Sequence, residues 1–325
     1  MKYTIFGESH GPAIGVTVEG LPAGLELDME FIRAELKRRA PGQNALATAR
    51  READEVEILS GVFEGYTTGT PLCAVIRNTD THSKDYESLK NLPRPSHADY
   101  VASVKYRGYQ DYRGGGHFSG RLTAPLVFAG ALAKLCLKQK DITVSSSIAI
   151  LGGVADPTPE DVERIILEAK QEQDSVGGAI ACAVEGVPVG YGAPDLGCNA
   201  EGIFAKHLFA VPAVKGVAFG AGFGFSCMRG SEANDAFYMD GDAVHTRTNC
   251  SGGINGGITN GMPITFEAAI RPTPSIGQKQ DTVDLAARKD AALTIKGRHD
   301  PCIVQRAMPV IEAAAALATC ELLEI

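Results

Sequence analysis

The sequence predicts an α+β fold built from an internally duplicated unit, and three observations carry that prediction. Alternating or β-branched runs bounded by turn residues mark strands at 14–19, 55–60, 72–77, 143–150, 179–185, 214–219 and 263–270. Longer segments with apolar residues at helical spacing mark helices at 28–39, 124–139, 158–172, 199–210, 282–292 and 301–323. Two stretches also recur in the same order. Val18-Glu19-Gly20-Leu21-Pro22-Ala23-Gly24 matches Val184-Glu185-Gly186-Val187-Pro188-Val189-Gly190, with a helix predicted soon after each. Gly61, Gly65, Thr67, Gly69 and Pro71 share their spacing with Gly253, Gly257, Thr259, Gly261 and Pro263. Common turn residues supply part of that match, so coincidence in a glycine-rich chain is the competing reading. The expected organisation is one domain, 1–325, of two pseudo-repeated halves, about 1–140 and 141–325, with the site assembled from both.

Local chemistry supports individual elements. A short strand precedes Gly7. The helix at 158–172 opens with Thr158-Pro159-Glu160-Asp161, which combines a capping hydroxyl, a proline in the first turn and acids at the positive helix end. Val162, Ile165, Ile166 and Ala169 then recur on one face. Leu122 to Lys140 is largely helical, and no linker separates the elements.

Composition narrows the function classes. With 325 residues, 44% of them hydrophobic and 22% charged, the chain can bury a large core without cross-links. Its eight cysteines are scattered and never form CxxC, a pattern of reduced thiols rather than of a disulfide frame or zinc site. No uninterrupted apolar stretch of about 18 residues and no signal-peptide layout is present, so a soluble, cytoplasmic protein without a membrane partner is expected. A net charge of −8 argues against nucleic acid as a partner. Basic residues nevertheless cluster: Arg33, Lys37, Arg38, Arg39, Arg50 and Arg51 face a single acid, Glu35, and a second stretch holds Lys105, Arg107, Arg113, His117 and Arg121. Such clusters are either solvated helix faces or a local site for a small anion.

Four segments carry the chemistry. Gly7-Glu8-Ser9-His10-Gly11 has formal GxSxG spacing, but a nucleophile elbow needs a helix after it, and Ile14 to Glu19 reads as another strand. What remains is a hydroxyl and an imidazole between glycines that permit close approach of a ligand, or a structural histidine. Arg94-Pro95-Ser96-His97-Ala98-Asp99 sets His97 in a proline-stiffened loop, as a proton donor or as a turn histidine. In Tyr112-Arg113-Gly114-Gly115-Gly116-His117-Phe118-Ser119-Gly120-Arg121, glycines ahead of a helix bare N–H groups toward an anion, and Arg121 can grip a phosphate or carboxylate with two parallel bonds. Ser119 there is a relay or a cap. The segment has neither the Walker pattern nor GxGxxG spacing. In Lys296-Gly297-Arg298-His299-Asp300-Pro301-Cys302, helix capping alone would select Asp300-Pro301, while Arg298 sits where a guanidinium and a helix N-terminus can share one anion. The Gly-rich run Ser251 to Gly261 and Arg271-Pro272-Thr273-Pro274-Ser275 complete the set. Together they describe a site for a multiply anionic small molecule with two histidines for proton transfer. No pattern announces a metal or a covalent nucleophile, and spacing alone gives neither a reaction nor a flavin.

Taken together, Gly7–Gly11, Arg113 to Gly116 with Ser119 to Arg121, and Gly297 to Pro301 resemble the three signature segments of the chorismate synthase family. Further matches are Arg38-Arg39-Ala40-Pro41-Gly42, Ser60 to Gly65 with Thr67 to Pro71, and Ala213-Val214-Lys215-Gly216-Val217, in order along nearly the whole chain. The resemblance implies a β-α-β sandwich, a helical layer between antiparallel sheets, in a homotetramer. It implies 1,4-elimination of phosphate from 5-enolpyruvylshikimate-3-phosphate to give chorismate, requiring reduced FMN (FMNH2) with no net oxidation. No flavin-reductase segment is visible, so the flavin, with NADP as the associated reductant, would be reduced elsewhere. His10 then matches the histidine at the reduced flavin, His97 the one near the leaving phosphate and Asp300 the acid that assists deprotonation. Ser9 and Ser119 match relaying hydroxyls. Substrate contacts map to Arg39, Arg50, Arg121 and Arg298. Flavin contacts map to His117, Phe118, Ser119, Ala213, Gly256, Arg271, Pro272, Thr273, Pro274, Ser275 and Arg298.

The sequence departs from the family pattern at Ala45, where many members are basic, at Pro212 for a common Asn, and at Arg271 for a common Lys. His117-Phe118 stands for Arg-Ser and Ser96 for Gly. Two other classes stay in view: a phosphate-ester hydrolase using Ser9 or His10, and a flavin- or anion-binding protein without turnover.

Overall fold

The computed structural model describes residues 1–40, 54–78, 90–295 and 300–325. The chain begins with β1 (Lys2–Gly7), β2 (Ala13–Glu19), α1 (Met29–Arg39), β3 (Val56–Ser60), the small hairpin β4 (Val62–Phe63) and β5 (Tyr66–Thr67), and β6 (Leu72–Arg77). Next come α2 (Asp99–Lys105) and α3 (Thr123–Lys138), then β7 (Thr143–Leu151), β8 (Val154–Ala155), α4 (Pro159–Gln171), β9 (Gly178–Glu185), α5 (Ala200–Phe209) and β10 (Val214–Phe219). The rest is α6 (Gly230–Ala233), the hairpins β11 (Phe237–Asp240)/β12 (Ala243–Thr246) and β13 (Ile254–Asn255)/β14 (Ile258–Thr259), β15 (Ile264–Ile270), the hairpin β16 (Gln280–Asp284)/β17 (Lys289–Leu293), and α7 (Val304–Leu322).

Two antiparallel sheets result, ordered β1-β2-β6-β3 and β10-β15-β9-β7-β8. The fold class is α+β, with helices packed between the sheets. The repeated stretches occupy equivalent places. β2 pairs with β6 with Val18 opposite Leu72, and β9 pairs with β15 with Val184 opposite Ile264. In each half a threonine of the small hairpin locks the turn after the first of these strands. Buried Thr67 donates Oγ1–H to the Pro22 carbonyl (2.5 Å) and accepts from the Leu25 N–H (3.0 Å). Buried Thr259 does the same to Pro188 (2.7 Å) and Tyr191 (3.0 Å). Gly61, Gly65 and Gly69 and their counterparts Gly253, Gly257 and Gly261 all hold φ between +79° and +87°, which explains why these positions match.

The helical layer is centred on α3 and α7. Gly130 of α3 lies against the backbone of Ala313, where a side chain would collide, and the alanines of α7 keep the two axes close. The segment Gly120–Lys138 is apolar enough to span a bilayer, but 89% of it is buried inside the fold, as befits a core helix. One part-buried ion network ties the layers. Glu312 of α7 accepts from Arg38 of α1 (2.7 Å), Lys134 of α3 (2.6 Å) and Ser146 of β7 (2.6 Å), and Glu35 accepts from the same two cations. The first basic cluster is therefore partly structural.

Two expectations are corrected. The segment 282–292 forms a hairpin, because Gln280 to Asp284 alternates in burial and Thr282 and Leu285 bond the Pro93 and Asn91 carbonyls. A helix there would forfeit both bonds. Asp300 does not cap α7, which starts at Val304; its carboxylate pairs with Arg306 instead. The cap at Thr158 forms as a reciprocal box with Asp161.

Candidate functional site

The Gly114–Gly116 turn organises the site. All three glycines have positive φ, which no larger residue adopts cheaply in succession. A Cβ on Gly114 would overlap the His10 ring, and one on Gly115 would lie 3.1 Å from His97 Cε1. The turn therefore sits between the two histidines that the sequence nominated, with the backbone against each imidazole. Ser9 N–H donates to the Gly116 carbonyl (3.1 Å), which fastens the Ser9–His10 turn after β1 to the same glycines.

Each side chain is held in place. His97 Nδ1 lies 2.6 Å from Asp99 Oδ1, so Nδ1 carries the proton and donates, leaving Nε2 as the exchanging atom. Asp99 accepts in turn from Arg94 Nε (2.7 Å) and Nη2 (2.9 Å), while Arg94 Nη1 donates to Ser275 Oγ (3.2 Å). Burial pulls the Asp99 carboxyl up, but the hydrogen bonds from Arg94 and His97 outweigh it and hold the group well below the usual carboxylate range. His97 follows Ser96, whose backbone holds φ +58° at the position where the family pattern has glycine, and the left-handed backbone explains that preference. Beside this loop a cleft is lined by Lys90, Asp99, Gln110, Gly115, Phe118 and Leu285.

Ser9 Oγ is 3.2 Å from His10 Nδ1 and within reach of the Gly114 carbonyl (3.2 Å). The hydroxyl is buried at 2% exposure and β2, not a helix, follows, so the geometry is not that of a hydrolase elbow. Ser119 caps the single turn Gly120–Leu122, accepting from the Arg121 N–H (3.3 Å). His117 Nδ1 meets the Gly7 carbonyl (2.9 Å), and Phe118 stays partly exposed. Arg39 and Arg121, both buried, converge on the Asp54 carboxylate.

The second half contributes from the opposite side. Arg271 N–H bonds the Ala213 carbonyl (3.0 Å), and Thr273 Oγ1 bonds the Asp300 carbonyl (2.8 Å). Burial lowers the Arg271 guanidinium, which has no side-chain partner among the described residues. Asp300 pairs through Oδ2 with Arg306, whose Nε donates to the Arg39 carbonyl (3.0 Å); its Oδ1 is buried and unpartnered among the described residues. Burial raises the Asp300 carboxyl, against the pull of Arg306. Arg94–Ser275 and Arg306–Arg39 thus join the halves at the site. Gly256 lies apart, in the β13/β14 hairpin at the start of α5, whereas Ala213 follows its end, about 15 Å away by helix rise. Arg50, Arg298 and the Ala45 departure fall outside the described residues. Arg94, Asp99 and Arg306 were not singled out from sequence. Only the neighbours of His97 and the basic residue after Asp300 hinted at them.

The sequence profile described as chorismate synthase matches residues 1–323. The chain belongs to the chorismate synthase family. Chorismate synthases of Thermococcus gammatolerans and Phocaeicola vulgatus are 48% and 44% identical to it, each alignment covering 97% of this chain and 94% of the relative. That of Methanothermobacter thermautotrophicus is 45% identical over 97% and 90%. A crystal structure of a chorismate synthase superimposes with a TM-score of 0.76 at 27% identity, covering 99% of this chain and 91% of that one. Membership in the chorismate synthase family makes the chain one of a family of enzymes.

Proposed function

We propose that the chain is a lyase of the shikimate pathway that performs the anti-1,4-elimination of phosphate from 5-enolpyruvylshikimate-3-phosphate, giving chorismate with no net redox change. The observation that carries this reading is the glycine turn that sets His10 and His97 on either side of it, beside buried Arg39 and Arg121. The substrate has two carboxylates and a phosphate, and guanidiniums suit both. Arg39 and Arg121, with Arg50 and Arg298, bind these groups. His97 Nε2 gives a proton to the departing phosphate, because Asp99 fixes Nδ1 as the other donor. Asp300 Oδ1 assists removal of the ring proton, and burial favours the protonated product of that step. His10 and Ser9 hold a further proton between them, with Ser119 as a second hydroxyl.

Reduced FMN, when bound, lends electron density to the ring as phosphate leaves. The residues fit it: Arg271, without a side-chain partner among the described residues, suits its phosphate, Ala213 and Pro272 to Ser275 offer backbone beside that guanidinium, and exposed His117 and Phe118 offer ring contacts. We further propose one working domain of two halves, 1–140 and 141–325, in a cytoplasmic homotetramer that binds neither nucleic acid nor membrane. The assembly is supported by the exposed apolar arm of Phe223, Phe237 and Met239.

The test is anaerobic: protein, the enolpyruvyl ester and chemically reduced FMN, with chorismate and phosphate followed together. Equal release of both, absent with oxidised FMN, is expected. Phosphate without chorismate would mark a hydrolase; flavin binding with neither product would mark a binding protein.

A further inference from the structure

We propose that Asp54 and Asn78 are positioning residues of the anion site, Asp54 fixing Arg39 and Arg121 against one another and Asn78 tying Arg121 to the His10 turn. The inference rests on the reading that these arginines receive the substrate's anions. Arg39 leaves the end of α1, Arg121 precedes α3, and Asp54 precedes β3, so three separate elements meet at one carboxylate. Oδ2 takes Arg39 Nη2 at 2.7 Å and Oδ1 takes Arg121 Nη1, one guanidinium per oxygen. The Asp54 side chain is fully buried, and its backbone holds φ +49°, a left-handed conformation that aspartate adopts more readily than most residues.

Asn78, just beyond β6, continues the frame. Its Oδ1 accepts from Arg121 Nε (3.2 Å), while Nδ2 donates to the carbonyls of Glu8 and Gly11 (2.9 Å each). A guanidinium can only donate, so the amide orientation is dictated by its neighbours. Through this one side chain the arginine pair is registered against the turn that carries Ser9 and His10. Free arginine side chains lose rotamer freedom when ordered, and a site that orders them on folding spares the ligand that cost.

The experiment compares wild type, Asp54→Asn and Asn78→Ala. It reads kcat and KM for the enolpyruvyl ester, binding of inorganic phosphate by calorimetry, and thermal melting to verify folding. Loss of charged hydrogen bonds predicts a KM about 10–100-fold higher in D54N and a smaller rise in N78A, with kcat changed less than KM and phosphate binding weakened in parallel. Unchanged KM and phosphate affinity in folded D54N overturns the proposal. A lower KM overturns it too, since Asp54 would then compete with substrate for the arginines. If D54N does not fold, N78A decides by the same criteria. Should wild type make no chorismate, the proposed reaction fails, and phosphate affinity alone decides the positioning role.

Discussion

The two halves of the chain agree inside the sheets and part company where the chain leaves them. Ser60 passes directly to Gly61 in the first half, whereas Phe219 and Gly253, their counterparts, are separated by residues 220–252. That insertion carries the β11/β12 hairpin and Phe223 and Phe237 at 89% and 70% exposure. After β6 the chain runs to His97, the triglycine turn and Arg121; after the equivalent β15 it runs to Arg271, Ser275 and Asp300. Register and the threonine lock are kept because each satisfies buried backbone groups and an apolar face. The outgoing segments are free of that constraint, and several of the candidate site residues lie in them.

The comparison can be broken first at the site. His97→Ala should lower turnover by about 10²–10⁴-fold with a much smaller change in ground-state substrate binding, as expected for an acid that acts in the transition state. Unchanged steady-state turnover would remove that role from the first half's outgoing segment. The next largest effect concerns the seam between the halves. Truncating Glu312 to alanine removes one of the two carboxylates that Lys134 and the exposed Arg38 share, leaving Glu35, and should cost about 1–3 kcal/mol in chemical denaturation. A loss under 1 kcal/mol would mean that the network does not join the layers.

The same seam has a pH signature. Burial pulls the Glu312 carboxyl up, but Arg38 and Lys134 outweigh it and bring the group from its ordinary 4.5 down to about 2. A depressed carboxylate contributes stability that is complete above about 4.5 and is lost as pH falls toward 2. Denaturation midpoints measured across that window should decline in wild type and decline less in the Glu312 variant.

Thr67→Val and Thr259→Val test the repeat itself. Each loses two hydrogen bonds, most of them only part-buried, at about 0.5–1.5 kcal/mol apiece, and the cost should be similar in the two halves. A large difference between them would mean that the matching geometry carries unequal weight. The smallest effect belongs to the arm. Phe223→Ser or Phe237→Ser should change the stability of the folded chain by less than about 0.5 kcal/mol while shifting its sedimentation toward smaller species. An unaltered sedimentation profile would leave the arm without a role in assembly.

Most of the architecture was legible in the sequence. Seven strands and five helices lie where periodicity and apolar runs put them. The repeat was legible through its glycines, because positive φ admits few alternatives. The segment 282–292 misled because Ala286, Ala287, Ala291 and Ala292 read as helix formers, while long-range bonds to Asn91 and Pro93 chose a hairpin. The site was legible as a collection of residue types. Ser9, His10, His97, Arg121 and Asp300 stood out because imidazoles, guanidiniums and glycines were concentrated in short segments.

By itself, then, the sequence determined the elements, the duplicated order and the family, all of which depend on local pattern or on ordered motifs. Only the tertiary structure decided that Gly114 backs His10 while Gly115 backs His97, and that Asp99 orients one imidazole. It also decided that one buried carboxylate gathers arginines 82 positions apart. Those relations are distances between side chains on separate elements, and no spacing along a chain encodes a distance until the core has packed.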